Sequence, residues 1–568
     1  MITLDIATGD DAAAPAAHFL DDSAFGVRFD SYRNFGRFES QIDPSDPGLI
    51  VWPGGHLAET RTDRYGLEYD DLSNPVIDRP GLDEMMAAAI ARDAALSVTL
   101  PTLRYLGRES ALADDLRGFL GDLLSGGYGP LPKELILEVG SEYYAHFTDG
   151  ATAAAAQYAG IADLMVTELA LALNDPTVNL VGADVTIAVQ AGKTLGDDEV
   201  IRDGLSDFAL SNVEMVIHHR FSPGPEAIDP RILDVEQIIG NWETEVVDAG
   251  GTVPELFVSA WNVAQYTRSD ALDDFLELNP SLTADDVDLD RRTNASFEQF
   301  WQASLDSHAY GERHPGLILE MFSSYAEAGM SAGAVFGTDV VHPGRLSWRD
   351  DQQADHTFVG GETIRMIYES LEGTRALASN GPYDSDDAVT PYAFEGADRV
   401  VVFLAAGAQA SGEITLDVEG LGSELTSLWA DSLRAIDDPD WMETFAIPDN
   451  PEVDESPEAA TFLPGQRSAA NVEVIEGGVR LSLAAYEVIR LSFAKTSEGA
   501  DALQAISSGD EIDLTTLAAD DSLPTTDPVV DTIDYSAPGV PHYGSEDDGE
   551  DGLGLEMLAL LLPIFFLM

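Results

Sequence analysis

Several apolar runs in this chain end on residues that can exchange protons or grip a polar ligand. They are Asp30, His56 with Glu59, Glu142 with Tyr143 and Tyr144, Gln190, His218 with His219, Trp261 with Asn262, and Asp339 with His342. Carboxyl and imidazole groups serve as general acids and bases, and the aromatic rings offer flat apolar faces. Other chemistries are excluded by what is missing. The chain has no cysteine, which removes disulfides, zinc–thiolate sites, iron–sulfur clusters and thiol nucleophiles. No H-E-x-x-H, G-x-S-x-G or glycine-rich phosphate loop occurs, so neither a metal nor a cofactor is expected. Asp285 to Asp290, DDVDLD, has the acid spacing of a calcium loop. Arg291 stands where that loop needs glycine and Phe297 where it needs glutamate, so a solvated loop is expected.

Those residues need elements to hold them together. Between Phe25 and Leu377 the runs GVRFDS, GLIVWPGG, LSVTLPT, ELILEVGSE, DVTIAVQAG, VEMVIHHRF, ELFVSAWN and AGAVFGTD alternate with helical patterns such as GLDEMMAAAIARDAA and YAGIADLMVTELALALN. Eight strands in this alternation predict a (β/α)8 barrel over residues 21–385, which gathers the run-ending residues around one mouth. A doubly wound open sheet is the alternative, weakened by the absent phosphate loop. From Pro391 the pattern changes to period-two runs separated by glycine turns, predicting a small antiparallel β-sandwich over residues 386–496. Residues 1–20, which open MITLDIA, are read as a further strand of that sandwich, 497–551 as an acidic disordered linker and 552–568 as an apolar tail.

Four of the run ends resemble motifs of one large clan of retaining glycoside hydrolases, built on the eight-fold barrel with a C-terminal sandwich. WPGGHLAE (Trp52 to Glu59) is similar to its R-[FY]-P-G-G strand end, EVGSEYY to its fourth-strand G-N-E motif, VIHHRF to its sixth-strand histidine motif, and VSAWN to its seventh-strand [TS]-E-W-N motif. The resemblance covers most of residues 25–494. It implies an oligo- or polysaccharide ligand and places Glu142 at the acid/base position. Trp52, His56, Ser141, Tyr143, Tyr144, His218, His219, Trp261 and Asn262 become candidate sugar contacts.

Retaining hydrolysis needs two carboxyl groups about 5–5.5 Å apart. Ala260 stands where the resemblance demands the nucleophilic glutamate, Ser141 replaces an asparagine, and Val51 replaces an arginine. Glu255 begins the same run and would lie roughly 16 Å away, at the other end of the strand. Asp339 and Glu59 are the candidate substitutes, since an inverting reaction needs a base about 6.5–9.5 Å from the acid. Three readings follow: a degenerate glycosidase that binds carbohydrate, an active hydrolase with a relocated base, or a non-catalytic secreted or surface protein whose barrel is a scaffold. Ordinary roles stand beside the functional ones. Glu142 can be an exposed loop carboxylate, Tyr143 and Tyr144 can pack under a loop, and Trp261 with Asn262 can close the barrel. Of His218 and His219, neighbours on a strand, one points into the barrel and the other into the helix layer.

The chain carries 102 Asp and Glu against 29 Lys and Arg, a formal charge of −73. Such a field repels nucleic acid and anionic membranes and suits salty water, where charge is screened. Membrane contact is expected only through the C-terminal tail, LGLEMLALLLPIFFLM, which is shorter than a spanning helix and contains Glu556 and Pro563. No signal-peptide pattern opens the chain. The acidic stretch with its apolar end resembles the uncleaved C-terminal signals of type I exporters, implying an extracellular or cell-surface location; a short tail anchor and a patch that docks on the protein's own surface are the alternatives, and a cytoplasmic location stays open.

Overall fold

Alternate residues of eight short strands face opposite ways, and that alternation builds the first domain. In the computed structural model, residues 18–514 are described apart from several loops, the longest being 60–79 and 437–462, together with Ile2–Thr3. The strands are β1 (Gly26–Arg28), β2 (Leu49–Trp52), β3 (Ala95–Leu100), β4 (Leu135–Val139), β5 (Thr186–Gln190), β6 (Met215–Ser222), β7 (Glu255–Val263) and β8 (Met330–Val335). All pairings are parallel, and β1 pairs with both β2 and β8 to close the barrel. Leu49, Val51, Ile136, Ala188, Met215, Ile217, Phe257 and Ala332 fill the interior. Their alternating neighbours, such as Ile50, Trp52, Leu137, Val216 and Val258, pack in the layer under the helices. An interior plugged with apolar side chains leaves chemistry only at the C-terminal rim.

The helix Ala151–Leu173 is long and apolar enough to cross a membrane by composition. It instead joins β4 to β5, with Ala155, Ala162, Met165 and Leu169 fully buried against the barrel. The strand β7 departs from regular pairing. Its ladder with β6 steps from His218–Val258 to His219–Ala260, skipping Ser259, and its pairing with β8 shifts over the same stretch. This bulge inserts an extra residue at the rim, directly before Ala260.

The second domain consists of two sheets facing a common core. One sheet orders Thr374–Ala376, Val389–Gly396, Arg399–Ala406, Val488–Ala494, Ser427–Ala435 and Gly465–Ala469, with Ile512–Asp513 also paired to Ser427–Ala435. The other orders Ile2–Thr3, Gly412–Asp417, Gly478–Leu483 and Val472–Ile475, the first pair being parallel. Val402, Leu404, Leu416, Leu481, Leu491 and Phe493 meet between them. At the seam with the barrel, the fully buried Arg490 pairs with Asp431 at 2.6 Å and with Glu369 of the helix Val359–Leu371 at 2.8 Å.

One boundary is corrected. Disorder was expected from residue 497, but Ser497–Ile506 forms a helix whose cap, Thr496, accepts from the Gly499 amide. Leu503 is buried there against Trp429 and Ala494. Acidic composition hid an amphipathic pattern with a sound N-cap. Residues 515–568 lie outside the described residues.

Candidate active or binding site at the barrel mouth

Glu142 follows β4 after a single turn and sits in the left-handed region, with φ of 47°. That conformation is uncommon for a residue bearing a Cβ and aims the carboxyl across the rim. Oε1 accepts from Tyr144 Oη at 3.3 Å and lies 3.2 Å from His219 Nδ1. An ionised carboxylate only accepts, so Nδ1 carries the proton. The other ring nitrogen, Nε2, is 2.8 Å from Ser259 Oγ, and Arg28 Nη1 approaches the same hydroxyl at 3.4 Å. Arg28, Ser259, His219 and Glu142 are thus joined in one chain of polar contacts across the mouth.

Burial opposes the charge on Glu142. The hydrogen bond and charge of His219, with Arg28 and His146, outweigh it and hold the carboxyl at about 2. Tyr144 moves the opposite way, pushed well above its usual range by burial and the Glu142 charge, so its hydroxyl stays a donor.

Arg28 is the residue that sequence reasoning missed. It rises from β1 into the mouth, buried, and donates to Asp30 at 3.1 Å, to the Ser259 carbonyl at 2.9 Å and to Ser141 Oγ at 3.4 Å. Burial raises the Asp30 carboxyl, while Arg28 opposes that shift. The glycine turn after β2 roofs this pair, since a Cβ on Gly54 would stand 1.4 Å from Asp30 Oδ1. An arginine inside an otherwise apolar run, two residues before an aspartate, was the available signal.

The expected residues separate into three groups. Glu142, Ser141, Tyr144 and His219 meet at the mouth, with the ring of Tyr144 also covered by Lys193 Nζ at 4.8 Å. Others face elsewhere, and their placement at a sugar face is corrected. Trp52 is buried in the helix-side layer. Trp261, beyond the bulge, packs on Phe322 and Tyr325. Tyr143 stacks on Tyr158 at 5.1 Å. His218 is buried, and its pairing partner Val258 faces the helices; desolvation keeps its imidazole neutral. Asn262 donates to the Phe336 carbonyl and accepts from His314 at 2.8 Å, closing the barrel. His56 and Asp339 lie outside the described residues.

Glu59 is on the right side of the barrel but is fully occupied. Its carboxyl accepts from the Thr102 amide, the Thr102 hydroxyl, the Leu103 amide and the Ser141 amide, all between 2.7 and 2.9 Å. It ties the rims of β2, β3 and β4 together and is not disposed to activate a water. Ala260 is 2% exposed and is the register partner of His219, so it shares the inward face with that imidazole. A separate recess of about 390 Å3, lined by Glu362, Arg365, Glu369 and Arg467, lies at the sandwich seam. Its charges largely pair with one another, Arg467 reaching Glu369 at 2.5 Å, and it stands apart from the mouth.

No family model matches the sequence, and no curated protein does. Solved structures do match. A family 51 arabinofuranosidase from Xanthomonas axonopodis pv. citri aligns at a TM-score of 0.53 and 12% identity, over 84% of this chain and 97% of that one. A family 51 α-L-arabinofuranosidase from Bifidobacterium longum gives a TM-score of 0.53 and 12% identity, over 85% and 98%. The likeness is one of fold. The chain shares with these two structures an eight-stranded parallel barrel followed by C-terminal antiparallel sheets, and Glu142 and Ala260 sit at the mouth of that barrel.

Proposed function

We propose that this glycoside-hydrolase-like protein binds carbohydrate at the barrel mouth and does not cleave it by the retaining route. The observation that carries the reading is the setting of Glu142, whose Oε1 takes contacts from Tyr144 and His219 while a methyl group stands at Ala260, the register partner of His219. A general acid must hold its proton at working pH, whereas this carboxyl is kept ionised by His219, Arg28 and His146. Its would-be partner position is a methyl group at Ala260, and Glu59 is spent on loop amides. Carbohydrate as the ligand class is supported by the fold neighbours, whose names mark them as arabinofuranosidases. Tyr144, half-buried beside Glu142, supplies an aromatic edge with a polar tip.

Titration calorimetry with a panel of oligosaccharides tests the reading, with Tyr144→Ala as the site control. Binding that the variant loses is expected, together with no release of reducing ends. A panel in which nothing binds would overturn the carbohydrate reading, and hydrolysis by the parent chain would overturn the non-hydrolytic one. For location, we propose that residues 515–568 carry an export signal. Fused to a reporter, they should place it in the medium, and retention in the cell would overturn that proposal.

A further inference from the structure

We propose that a shelf beside the barrel mouth, formed by Lys193, Tyr144 and Arg220, takes the carboxylate of an acidic sugar. This rests on the carbohydrate-binding reading above and names the substrate class. The argument begins with an arginine that lacks a counterion. Arg220 follows His219 near the rim end of β6 and is half-buried. Its Nε is buried without a hydrogen-bond partner, and its guanidinium forms no ion pair among the described residues. The chain offers 102 Asp and Glu to 29 Lys and Arg, and four buried arginines make use of them. Arg28 pairs with Asp30, Arg202 with Asp198, Arg268 with Glu298 and Arg490 with Asp431. A guanidinium stays charged at any working pH and loses hydration when half-buried, so one left unpaired favours an anion brought from outside.

Strand alternation turns Arg220 outward from His219, toward the two rings that follow β4. Burial raises the hydroxyls of Tyr143 and Tyr144, and the Arg220 charge opposes that rise in both, which sets the guanidinium near the pair. The rings meet edge to face, with centroids 5.4 Å apart. Lys193, just beyond β5, donates its amide to Tyr143 Oη at 3.0 Å and holds Nζ 4.8 Å from the centre of the Tyr144 ring. Because β5 and β6 are paired neighbours, the two cations stand on adjacent strand ends. Asp197 and Asp198, which also act on Tyr143, are engaged elsewhere. Asp198 accepts from Arg202 and Trp242, and Asp197 accepts from Thr194.

Glu142 sets how such a ligand must lie. It meets Tyr144 at the hydroxyl, whereas Lys193 lies over the ring face. A ligand seated beside Tyr144 therefore finds an acceptor on one side, suited to sugar hydroxyls, and cations on the other, suited to a carboxylate. A uronic acid carries both groups on one ring, and its planar carboxylate matches the paired N–H groups of a guanidinium. An amino sugar would set its ammonium against Lys193 and Arg220, and a neutral sugar would leave Arg220 unpaired.

The formal charge of −73 repels anions at long range, so affinity for an acidic sugar has to come from a local contact. Short oligomers of galacturonate, glucuronate and mannuronate should be compared with their uncharged methyl esters by calorimetry in about 1 M KCl, where the surface field is screened. At least one acid is expected to bind about tenfold or more tightly than its ester. Arg220→Gln should erase that preference and keep the affinity for the ester. Arg480→Gln, which removes an equal charge from the sandwich, should leave the preference unchanged. Since Arg220 has no partner to lose, the ligand-free melting temperature of Arg220→Gln should not fall; a fall would assign the arginine to the fold and overturn the inference. Equal binding of acids and esters, or binding of neutral oligosaccharides alone, overturns it while leaving the carbohydrate reading intact. A preference that survives Arg220→Gln overturns it as well, placing the carboxylate elsewhere. Binding of no oligosaccharide removes both.

Discussion

His219 touches Glu142 with one ring nitrogen and Ser259 with the other, at 3.2 and 2.8 Å. The order of exposure gives the direction of this relay: Ser259 is fully buried and Glu142 is partly open. A serine at the closed end cannot meet a substrate, so the imidazole serves the carboxylate. It fixes one oxygen and stabilises the ionised form.

Removing that support should be visible in the titration of one residue. In His219→Ala, the Glu142 carboxyl should rise from about 2 toward its ordinary 4.5, read from its carbon-13 shift. Because the folded value is depressed, the stabilisation is complete above about pH 4.5 and is lost as pH falls toward 2. Acid melting curves of the parent should therefore lose stability in that window, and the variant should lose less there. An unmoved titration would mean that His219 is not the cause.

Ala260→Glu restores a carboxyl on the inward face beside His219. At a site 2% exposed, the change should lower stability by about 1–3 kcal/mol. It should also raise the affinity of Glu142 for a proton, as a like charge does. Appearance of aryl-glycoside cleavage absent in the parent would support the degenerate-site reading. A folded but inert variant would show that more than one carboxyl is missing.

Gly54→Ala tests the roof over Arg28 and Asp30. The new methyl would meet Asp30 Oδ1 at 1.4 Å and Arg28 Nε at 2.6 Å, neither of which can retreat from a closed pair. A loss of about 3 kcal/mol is expected in denaturant unfolding. A neutral result would mean that the turn moves freely.

Much of this architecture could be read from the chain because parallel barrel strands are buried on both faces and appear as continuous apolar runs. All eight runs became strands within a few residues of their expected limits. The site was harder to read. A bulge has no compositional mark, so the sequence did not show that Ser259 and Ala260 lie side by side at the rim while Trp261 turns to the helices. Arg28 was hidden because two of its partners, Ser141 just after β4 and Ser259 on β7, lie more than a hundred residues away in sequence. Glu59 resembled a free carboxylate, since only tertiary structure brings four donors onto it.

At the seam, Asp431→Ala should cost about 3–5 kcal/mol by stranding the buried Arg490. Glu369 remains as a second partner, so the lower end of that range is expected from thermal melts. A change under 1 kcal/mol would show that Glu369 suffices.

Salt should matter more than for an ordinary protein. With a formal charge of −73, self-repulsion weakens the compact state until counterions screen it, the Debye length falling from about 10 Å at 0.1 M to about 3 Å at 1 M. The melting temperature should climb steeply across that range, and a flat profile would remove the salty-water reading.

The bulge in β7 has a consequence for how this chain can change. It holds the backbone in the shape that presents residue 260 to the mouth, with the imidazole and guanidinium already in place. Two of the four alanine codons become glutamate codons by a single base substitution, and such a change would alter the mouth without rebuilding the strand that carries it.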